Sequence, residues 1–322
     1  MSHFSFFNPI SNELDVVEQK LFENINTSLA LLDEASAHLI KAGGKRIRPG
    51  FALLAARMYM TSLERAIPLA VTLELIHMAS LVHDDVIDNS ETRRGADTVK
   101  KRWGNRMSIY AGDYILARSL AVVNEYNRPD VVDVLADASM RICEGEIKQM
   151  LSCYDVEQGL KDYLRRIQCK TALLISVSCQ LGAMISAAPP QEIEALKKYG
   201  YYVGMTFQIT DDILDLVADE KTLGKPTGND IRQGIITLPV IYALRFLPDR
   251  YKFKTMLSQP DIYRSETANI INMVVESGGI EYAYEVSRKY AYLAQQQLLL
   301  LPDKPEKQIL SDIADFILIR NF

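Results

Sequence analysis

The sequence has no excess of basic residues. Its 322 residues contain 36 Lys and Arg against 41 Asp and Glu, which gives a formal net charge of −5. This balance disfavours a nucleic-acid-binding protein and a protein held electrostatically on anionic lipid, because both need an excess of positive charge. Any anionic ligand must therefore meet a local group of cations.

Cysteines are few, and their spacing argues against a zinc site. The four are Cys143, Cys153, Cys169 and Cys179. They lack paired metal-ligand spacing and fall in apolar stretches of helical period, which predicts reduced, buried thiols. The amino-terminal segment MSHFSFFNPISNELD has neither the basic segment nor the apolar run of a signal peptide. We therefore expect a cytoplasmic protein.

Long uncharged runs are also absent, with one exception. Residues 171–190 contain no charged side chain and approach the length of a membrane span. Small and polar residues lower the hydrophobicity of this run, namely Ser176, Ser178, Gln180 and Gly182. Because a helix that is apolar on all sides is typical of the centre of a large helical protein, we predict a buried helix here and no transmembrane segment.

Alternating strand patterns are scarce, whereas apolar residues recur at helical spacing along most of the chain. Leu69, Leu73 and Ile76 form one such series, and Val131 and Leu135 belong to another. Glycine and proline fall between the periodic runs, where helices begin and end. No linker, composition shift or fixed-period repeat divides the chain. The sequence predicts an all-α fold in one domain, residues 1–322.

Two acidic clusters of identical spacing are the most informative motifs. Within each cluster, residues four apart share one helix face, while the second aspartate turns aside. Like charges so placed repel, and hard oxygen ligands suit Mg²⁺, which completes its shell with phosphate oxygens. For one cluster alone, a solvated helix end is the alternative. The candidate metal ligands are Asp84, Asp85, Asp88, Asp211, Asp212 and Asp215.

Basic motifs accompany the clusters. Residues 43–49 read GGKRIRP, where glycines free the backbone and three cations precede a proline that can open a helix. Arg93 and Arg94 follow the first cluster, and guanidinium groups suit bidentate contact with phosphate. A solvated basic loop is the alternative for either motif. His77 lies two helical turns before Asp84 and nearly on the same face, although a lone histidine is more often a core residue.

Further polar groups lie near the second cluster. Lys170 and Thr171 begin the uncharged run, and Gln208 precedes Asp211 by three residues. Buried polar groups need partners, so we expect these side chains to belong to a site. Lys225 lies on a glycine-rich loop just beyond the cluster, where a lysine can reach a phosphate.

Taken together, these motifs resemble the trans-isoprenyl diphosphate synthases, or polyprenyl synthases. GGKRIRP, the first aspartate-rich motif with its trailing Arg-Arg-Gly, the Lys-Thr pair, FQITDD and LGKP occur in that family's order between about Lys45 and Pro239. The runs SLVHDDVIDNSETRRG and YYVGMTFQITDDILD are similar to the large catalytic subunits, component II, of bacterial heptaprenyl diphosphate synthases.

The resemblance implies a fold, a cofactor and residue roles. The fold would be a single all-helical domain around a deep central cavity, the isoprenoid synthase fold. Three Mg²⁺ ions would bridge the allylic diphosphate. Isopentenyl diphosphate would be held by Lys45, Arg48, His77 and Arg94. The allylic diphosphate would be held by Arg93, Lys170 and Lys225. The catalytic residues would be Lys170, Thr171 and Gln208.

The resemblance also implies a product class and partners. Ala79 and Ser80, in the turn before Asp84, are small where short-product members carry aromatics, so we expect a medium or long all-trans product. Heptaprenyl or hexaprenyl diphosphate, made from farnesyl diphosphate, would supply a menaquinone side chain and pass to the membrane. The chain would form a homodimer, or a heterodimer with a small regulatory subunit. A geranylgeranyl synthase, a terpene cyclase and a non-catalytic partner subunit are the alternatives.

Overall fold

The fold is all-α, as predicted, with one small hairpin among the described residues. The computed structural model describes residues 5–217, 227–259 and 265–319. A 3₁₀-helix spans Ser5–Ile10 and a π-helical turn spans Gln168–Ala172. The first α-helices are α1 Ser11–Ile25, α2 Ala30–Lys41, α3 Ile47–Arg57, α4 Ile67–Ile87, α5 Val99–Asn124, α6 Pro129–Leu151, α7 Leu160–Ile167 and α8 Leu173–Ile185. The remaining α-helices are α9 Pro190–Val217, α10 Asn229–Arg232, α11 Leu238–Phe246, α12 Arg250–Leu257, α13 Thr267–Glu276, α14 Gly279–Leu298 and α15 Pro305–Ile319.

The chain forms two compact units. The first contains the residues up to Ser139, Val177–Lys197 and Leu301–Leu310. The second contains Met140–Ser176, Lys198–Leu300 and the residues from Ser311 onward.

In the first unit, α4 packs against α1, α3 and α5. The helical series predicted from the sequence lies here, with Leu69 and Leu73 completely buried. Within the described residues, α4 is the one helix long and apolar enough to cross a membrane, and 61% of its most apolar window is buried. Core helices of soluble proteins share this property, so it is weak evidence for a span.

In the second unit, the core forms around α7, α9 and α11. Tyr163, Met205, Ile209 and Leu238 are buried together there. Apolar residues on one face of each helix account for this packing, because burying a large apolar side chain stabilises the fold by about 1.5–3 kcal/mol.

The uncharged run is helical and largely buried, as predicted. Its residues 171–185 form the end of the π-helical turn and α8, and a turn follows at residues 186–189. Cys179 within α8 is completely buried. The prediction of four buried thiols was wrong in part, because Cys143 is exposed and Cys153 and Cys169 are half-buried. All four are free thiols.

Candidate active site

The first acidic cluster lies at the C-terminal end of α4. Asp84 is half-buried, and Asp88 is exposed just beyond the last residue of the helix. The Asp88 backbone N–H donates to the Asp84 carbonyl at 2.8 Å, which keeps the two residues in helical register. The last turn of α4 contains no basic residue. Because the C-terminal end of a helix carries partial negative charge, carboxylates are unfavourable there unless a cation compensates them.

Asp85 turns aside, as the spacing predicted. It is only 2% exposed and forms an ion pair with Arg93, with Nη2 of the arginine 2.7 Å from Oδ1. Burial raises the pKa of Asp85, and the arginine opposes that shift. The predicted metal ligand and the predicted diphosphate ligand are therefore paired with each other in this structure.

A β-hairpin positions the two consecutive arginines. Strand β1 is Thr92–Arg93 and strand β2 is Ala96–Asp97, joined by Arg94 and Gly95. Both linking residues have positive φ, 53° and 77°, as a two-residue type I′ turn requires. The sequence interpretation treated this segment as a loop. Its turn places Arg94 so that Nη1 donates to the carbonyl of Gly43.

One of the three cations in the GGKRIRP motif is not available to a ligand. Arg46 is completely enclosed, and its guanidinium donates to Glu18 at 2.7 and 2.9 Å and to Glu74 at 2.9 Å. Burial alone would lower the pKa of Arg46, but the two carboxylates raise it. Arg46 is thus a buried structural cation rather than part of an anion site.

Arg48 has the opposite environment. Its Nε is buried, and no acceptor in the described chain lies within hydrogen-bond distance of it. The pKa of Arg48 is lowered to about 10, chiefly by burial and also by the charge of Arg94, against the opposing effect of Glu74. A buried donor without an acceptor is unfavourable, and an anionic ligand would satisfy it.

His77 belongs to the same group of cations. Desolvation lowers its pKa well below the ordinary value, and nearby arginine charges lower it further. Those arginines are Arg46, Arg48, Arg93 and Arg94. His77 is therefore neutral at physiological pH. The structure brings together three of the four residues predicted for isopentenyl diphosphate, and the fourth, Lys45, is exposed on the adjoining loop.

The second acidic cluster lies on α9. Asp212 is 4% exposed and accepts hydrogen bonds from Tyr163 Oη and Gln208 Nε2, both at 2.8 Å. Burial raises its pKa to about 6 against the effect of these two donors. Asp215 is also buried and accepts from the backbone N–H of Asp230 at 3.0 Å. Asp211 is half-buried.

The Lys-Thr pair lies in the π-helical turn Gln168–Ala172. Thr171 Oγ1 donates to Gln208 Oε1 at 2.5 Å, so the two polar residues predicted beside the second cluster are in direct contact. Gly204, one turn before Gln208, makes this approach possible. A Cβ there would lie 2.4 Å from Cα of Ala172. Lys170 is exposed and donates to Gln149 Oε1 at 3.2 Å.

The remaining predicted residues have mixed outcomes. Lys225 lies outside the described residues. Ala79 is 2% exposed, whereas Ser80 is half-buried and its hydroxyl donates to the carbonyl of His77 at 2.8 Å. Sequence reasoning did not single out Tyr163, Glu74 or Glu18. Their partners are at least 28 residues away in sequence, and spacing gives no signal for such contacts.

The carboxylates fit the chemistry of Mg²⁺. Within the described part of the chain, no group of three His, Cys, Asp or Glu side chains converges as a metal site. Mg²⁺ is usually held by one or two carboxylates together with substrate phosphates, so a preformed cage is not required. The hard oxygen donors and the negative helix end at Asp84 and Asp88 suit such an ion.

A buried group of arginines and half-buried or exposed aspartates at a helix end are the features expected of a helical enzyme that acts on diphosphates. A family model described as Polyprenyl synthetase matches residues 29–274. Heptaprenyl diphosphate synthase component 2 of Geobacillus stearothermophilus is 46% identical over 313 residues, 97% of this chain and 97% of that protein. Component 2 from Bacillus subtilis strain 168 is 45% identical over 324 residues, 99% of this chain and 90% of that protein.

A solved structure shows the same likeness. The crystal structure of heptaprenyl diphosphate synthase from Staphylococcus aureus matches with a TM-score of 0.92 and 39% identity, over 97% of this chain and 98% of that chain. The chain belongs to the polyprenyl synthetase family. It is a trans-prenyltransferase of the medium- to long-chain type, in a family that generally depends on Mg²⁺. This family membership argues against a terpene cyclase, which was one of the alternatives from the sequence.

Proposed function

We propose that the chain extends farnesyl diphosphate with isopentenyl diphosphate to make heptaprenyl or hexaprenyl diphosphate for a menaquinone side chain. The near full-length likeness to two heptaprenyl diphosphate synthase components supports this product class. The small side chains of Ala79 and Ser80 on α4 agree with a long product. We place the reaction in the cytoplasm, with the product passing to the membrane.

The cation group around Arg48 is the observation that carries the proposal for isopentenyl diphosphate. Arg48 offers a buried Nε without an acceptor, His77 is neutral, and Arg94 reaches the Gly43 carbonyl. Lys45 adds a charge on the adjoining exposed loop. Guanidinium groups bind phosphate oxygens bidentately, which suits a diphosphate.

For the allylic diphosphate, we propose that Asp84, Asp88 and Asp211 hold Mg²⁺, three ions in all, and that Arg93, Lys170 and Lys225 contact the phosphate oxygens. Mg²⁺ held by these aspartates would supply Lewis-acid stabilisation of the negative charge on the departing diphosphate. Asp85, Asp212 and Asp215 belong to the same predicted metal-binding clusters, and their contacts within the chain would fix the geometry of those clusters.

The reaction joins the two substrates in three steps. The C–O bond of the allylic diphosphate breaks, and its electron pair leaves with the diphosphate. The double bond of isopentenyl diphosphate then attacks the allylic cation, and the new cation loses a proton to the departed diphosphate. We propose that Thr171 and Gln208 present oxygen dipoles to the allylic cation, since fixed dipoles stabilise developing charge without reorganisation.

Incubation of the purified chain with farnesyl diphosphate, isopentenyl diphosphate and Mg²⁺ tests the proposal. The reaction is run with and without a candidate small subunit, and product length is read by mass spectrometry. We expect heptaprenyl or hexaprenyl diphosphate in at least one arm and none in the Asp84→Ala control. A product no longer than geranylgeranyl diphosphate would establish the short-chain alternative. No turnover in either arm would favour a non-catalytic subunit.

The two-arm design also addresses the partner. Relatives named component 2 are, by that name, parts of a larger enzyme. We propose that this chain works either as a homodimer or with a small regulatory subunit, and activity of the chain alone distinguishes the two.

A further inference from the structure

A continuous line of hydrogen bonds runs through the second unit from Thr171 to Tyr163. Thr171 Oγ1 donates to Gln208 Oε1 at 2.5 Å, and Gln208 Nε2 donates to Asp212 Oδ1 at 2.8 Å. On its other oxygen, Asp212 accepts from Tyr163 Oη at 2.8 Å. The π-helical turn contributes Thr171, α9 contributes Gln208 and Asp212, and α7 contributes Tyr163.

The ionised carboxylate determines which way the Gln208 amide points. A carboxylate accepts hydrogen bonds and donates none, so the amide must turn its NH₂ group to Asp212. The amide oxygen then faces Thr171, whose hydroxyl donates to it. Successive hydrogen bonds polarise one another, so the oxygen end of the line carries the negative partial charge.

Tyr163 in turn fixes the carboxylate. Its ring is completely buried, and the guanidinium of Arg166 lies 5.4 Å from the ring centroid. Arg166 itself is held by Gln158 Oε1 at 3.0 Å and by the carbonyl of Ile236 at 2.6 Å. Because the tyrosine cannot turn freely, its hydroxyl has a fixed direction toward Asp212.

We propose that Tyr163 is a positioning residue for ionisation of the allylic substrate: it holds Asp212 so that Gln208 presents its amide oxygen, and not its NH₂ group, to the allylic cation. The inference rests on the proposed roles of Thr171 and Gln208. Without the tyrosine hydroxyl, the carboxylate loses one of its two fixed donors and rotates. The amide then has no fixed acceptor and samples the orientation that places positive charge beside the cation.

Tyr163→Phe removes the hydroxyl and keeps the ring. We expect kcat to fall about tenfold while KM for both substrates stays within about twofold, the size of effect that one misplaced dipole in a transition state produces. Ser287→Ala is the matched control, because it removes a buried hydrogen bond of 3.1 Å between α14 and Thr210, which lies on α9 with Gln208 and Asp212. We expect its kcat to be unchanged.

Binding of two analogues separates the positioning role from damage to the diphosphate site. One is an ammonium analogue of the allylic cation, bound together with inorganic diphosphate and Mg²⁺. The other is an uncharged allylic thiolodiphosphate with Mg²⁺. We expect Tyr163→Phe to weaken the ammonium compound about tenfold and to leave the thiolodiphosphate within about twofold. Equal weakening of both compounds, or of neither, would overturn the proposal.

Two further variants separate this inference from the proposed function. Gln208→Leu and Thr171→Val should also weaken the ammonium analogue. If they do not, the proposed roles of those residues fail. If they do and Tyr163→Phe does not, only the positioning role fails. Should Tyr163→Phe not fold, the same two affinities are measured on Arg166→Lys, where selective weakening of the ammonium analogue supports the proposal and any other pattern overturns it.

Discussion

Arg46 and Arg48 are two residues apart and have opposite environments. Arg46 is surrounded by the carboxylates of Glu18 and Glu74, whereas Arg48 has a buried Nε without an acceptor in the described chain. The sequence GGKRIRP indicated an anion site but could not distinguish its cations. The carboxylates that neutralise Arg46 come from α1 and α4, and their approach depends on tertiary packing.

This difference predicts opposite effects of the same substitution. Arg46→Met leaves two buried carboxylates without their partner, so we expect it to lower the free energy of unfolding by about 3–5 kcal/mol. Arg48→Met should leave that free energy unchanged or raise it, and should raise KM for isopentenyl diphosphate about tenfold or more. Urea unfolding and steady-state kinetics measure both. Normal stability of Arg46→Met would contradict the structural role.

The neutral state of His77 gives a second prediction. Because its pKa is lowered in the folded chain, the unfolded chain binds the proton more readily at acidic pH. His77 should therefore cost stability as pH falls below about 6.5, its unfolded value. His77→Gln keeps a neutral hydrogen-bonding group, so we expect KM for isopentenyl diphosphate to remain within about threefold.

The measurement compares urea unfolding of His77→Gln and the unchanged chain at neutral and acidic pH. The variant should gain relative stability on the acidic side. An equal pH dependence in the two proteins would show that folding does not lower the pKa of His77.

At the scale of single elements, α4 was the most predictable. Its spacing placed His77 and Asp84 on nearly the same face, with Ser80 in the turn before Asp84, and the structure shows one continuous helix through all three. The Ser80 hydroxyl donates to the His77 carbonyl within it. The helix end after Ile87 agrees with the polar residues that follow. Local periodicity carries such information, because it depends only on residues within a few turns.

The same helix gives the prediction on product length. Ser80 is half-buried, so Ser80→Phe adds a ring beside the stripe with little overpacking, and we expect shorter products by mass spectrometry. Ala79 is 2% exposed, so Ala79→Tyr should cost about 1–3 kcal/mol of stability as well. An unchanged product distribution in Ser80→Phe would refute the channel position.

Other elements were not predictable from local pattern. The type I′ turn at Arg94 and Gly95 joins strands of two residues each. Such strands are too short to show an alternation of apolar and polar residues in the sequence. The contact of Tyr163 with Asp212 joins residues 49 apart. Such a contact follows from how α7 packs on α9, and helix spacing alone does not determine that packing.

At the scale of the whole molecule, the net charge of −5 predicted that an anionic ligand must meet a local group of cations. Four arginines gather around His77 and form such a group. The all-α fold followed from the scarcity of alternating patterns. The division into two compact units did not follow, since no composition shift marks it.

Ligand binding should stabilise the whole chain cooperatively. We propose that Mg²⁺ is held jointly by the aspartates and by the diphosphate oxygens, so each ligand helps the other to bind. Together they should raise the melting temperature more than the sum of either alone, because binding to the folded state adds stability by mass action. Differential scanning calorimetry measures this increment. In Asp84→Ala the increment should shrink while the unliganded melting temperature stays equal or rises. An undiminished increment would exclude Asp84 from the site.

The π-helical turn at Gln168–Ala172 also limits how the gene can change. A π-helical turn contains one residue more than the corresponding turn of an α-helix. Deletion of one codon here would restore regular helix and rotate Thr171 by about 100° away from Gln208. A substitution outside Lys170 and Thr171 can leave this turn in place, whereas a change in its length would not. The position of Thr171 therefore depends on the number of residues in this turn as well as on the identity of its side chains.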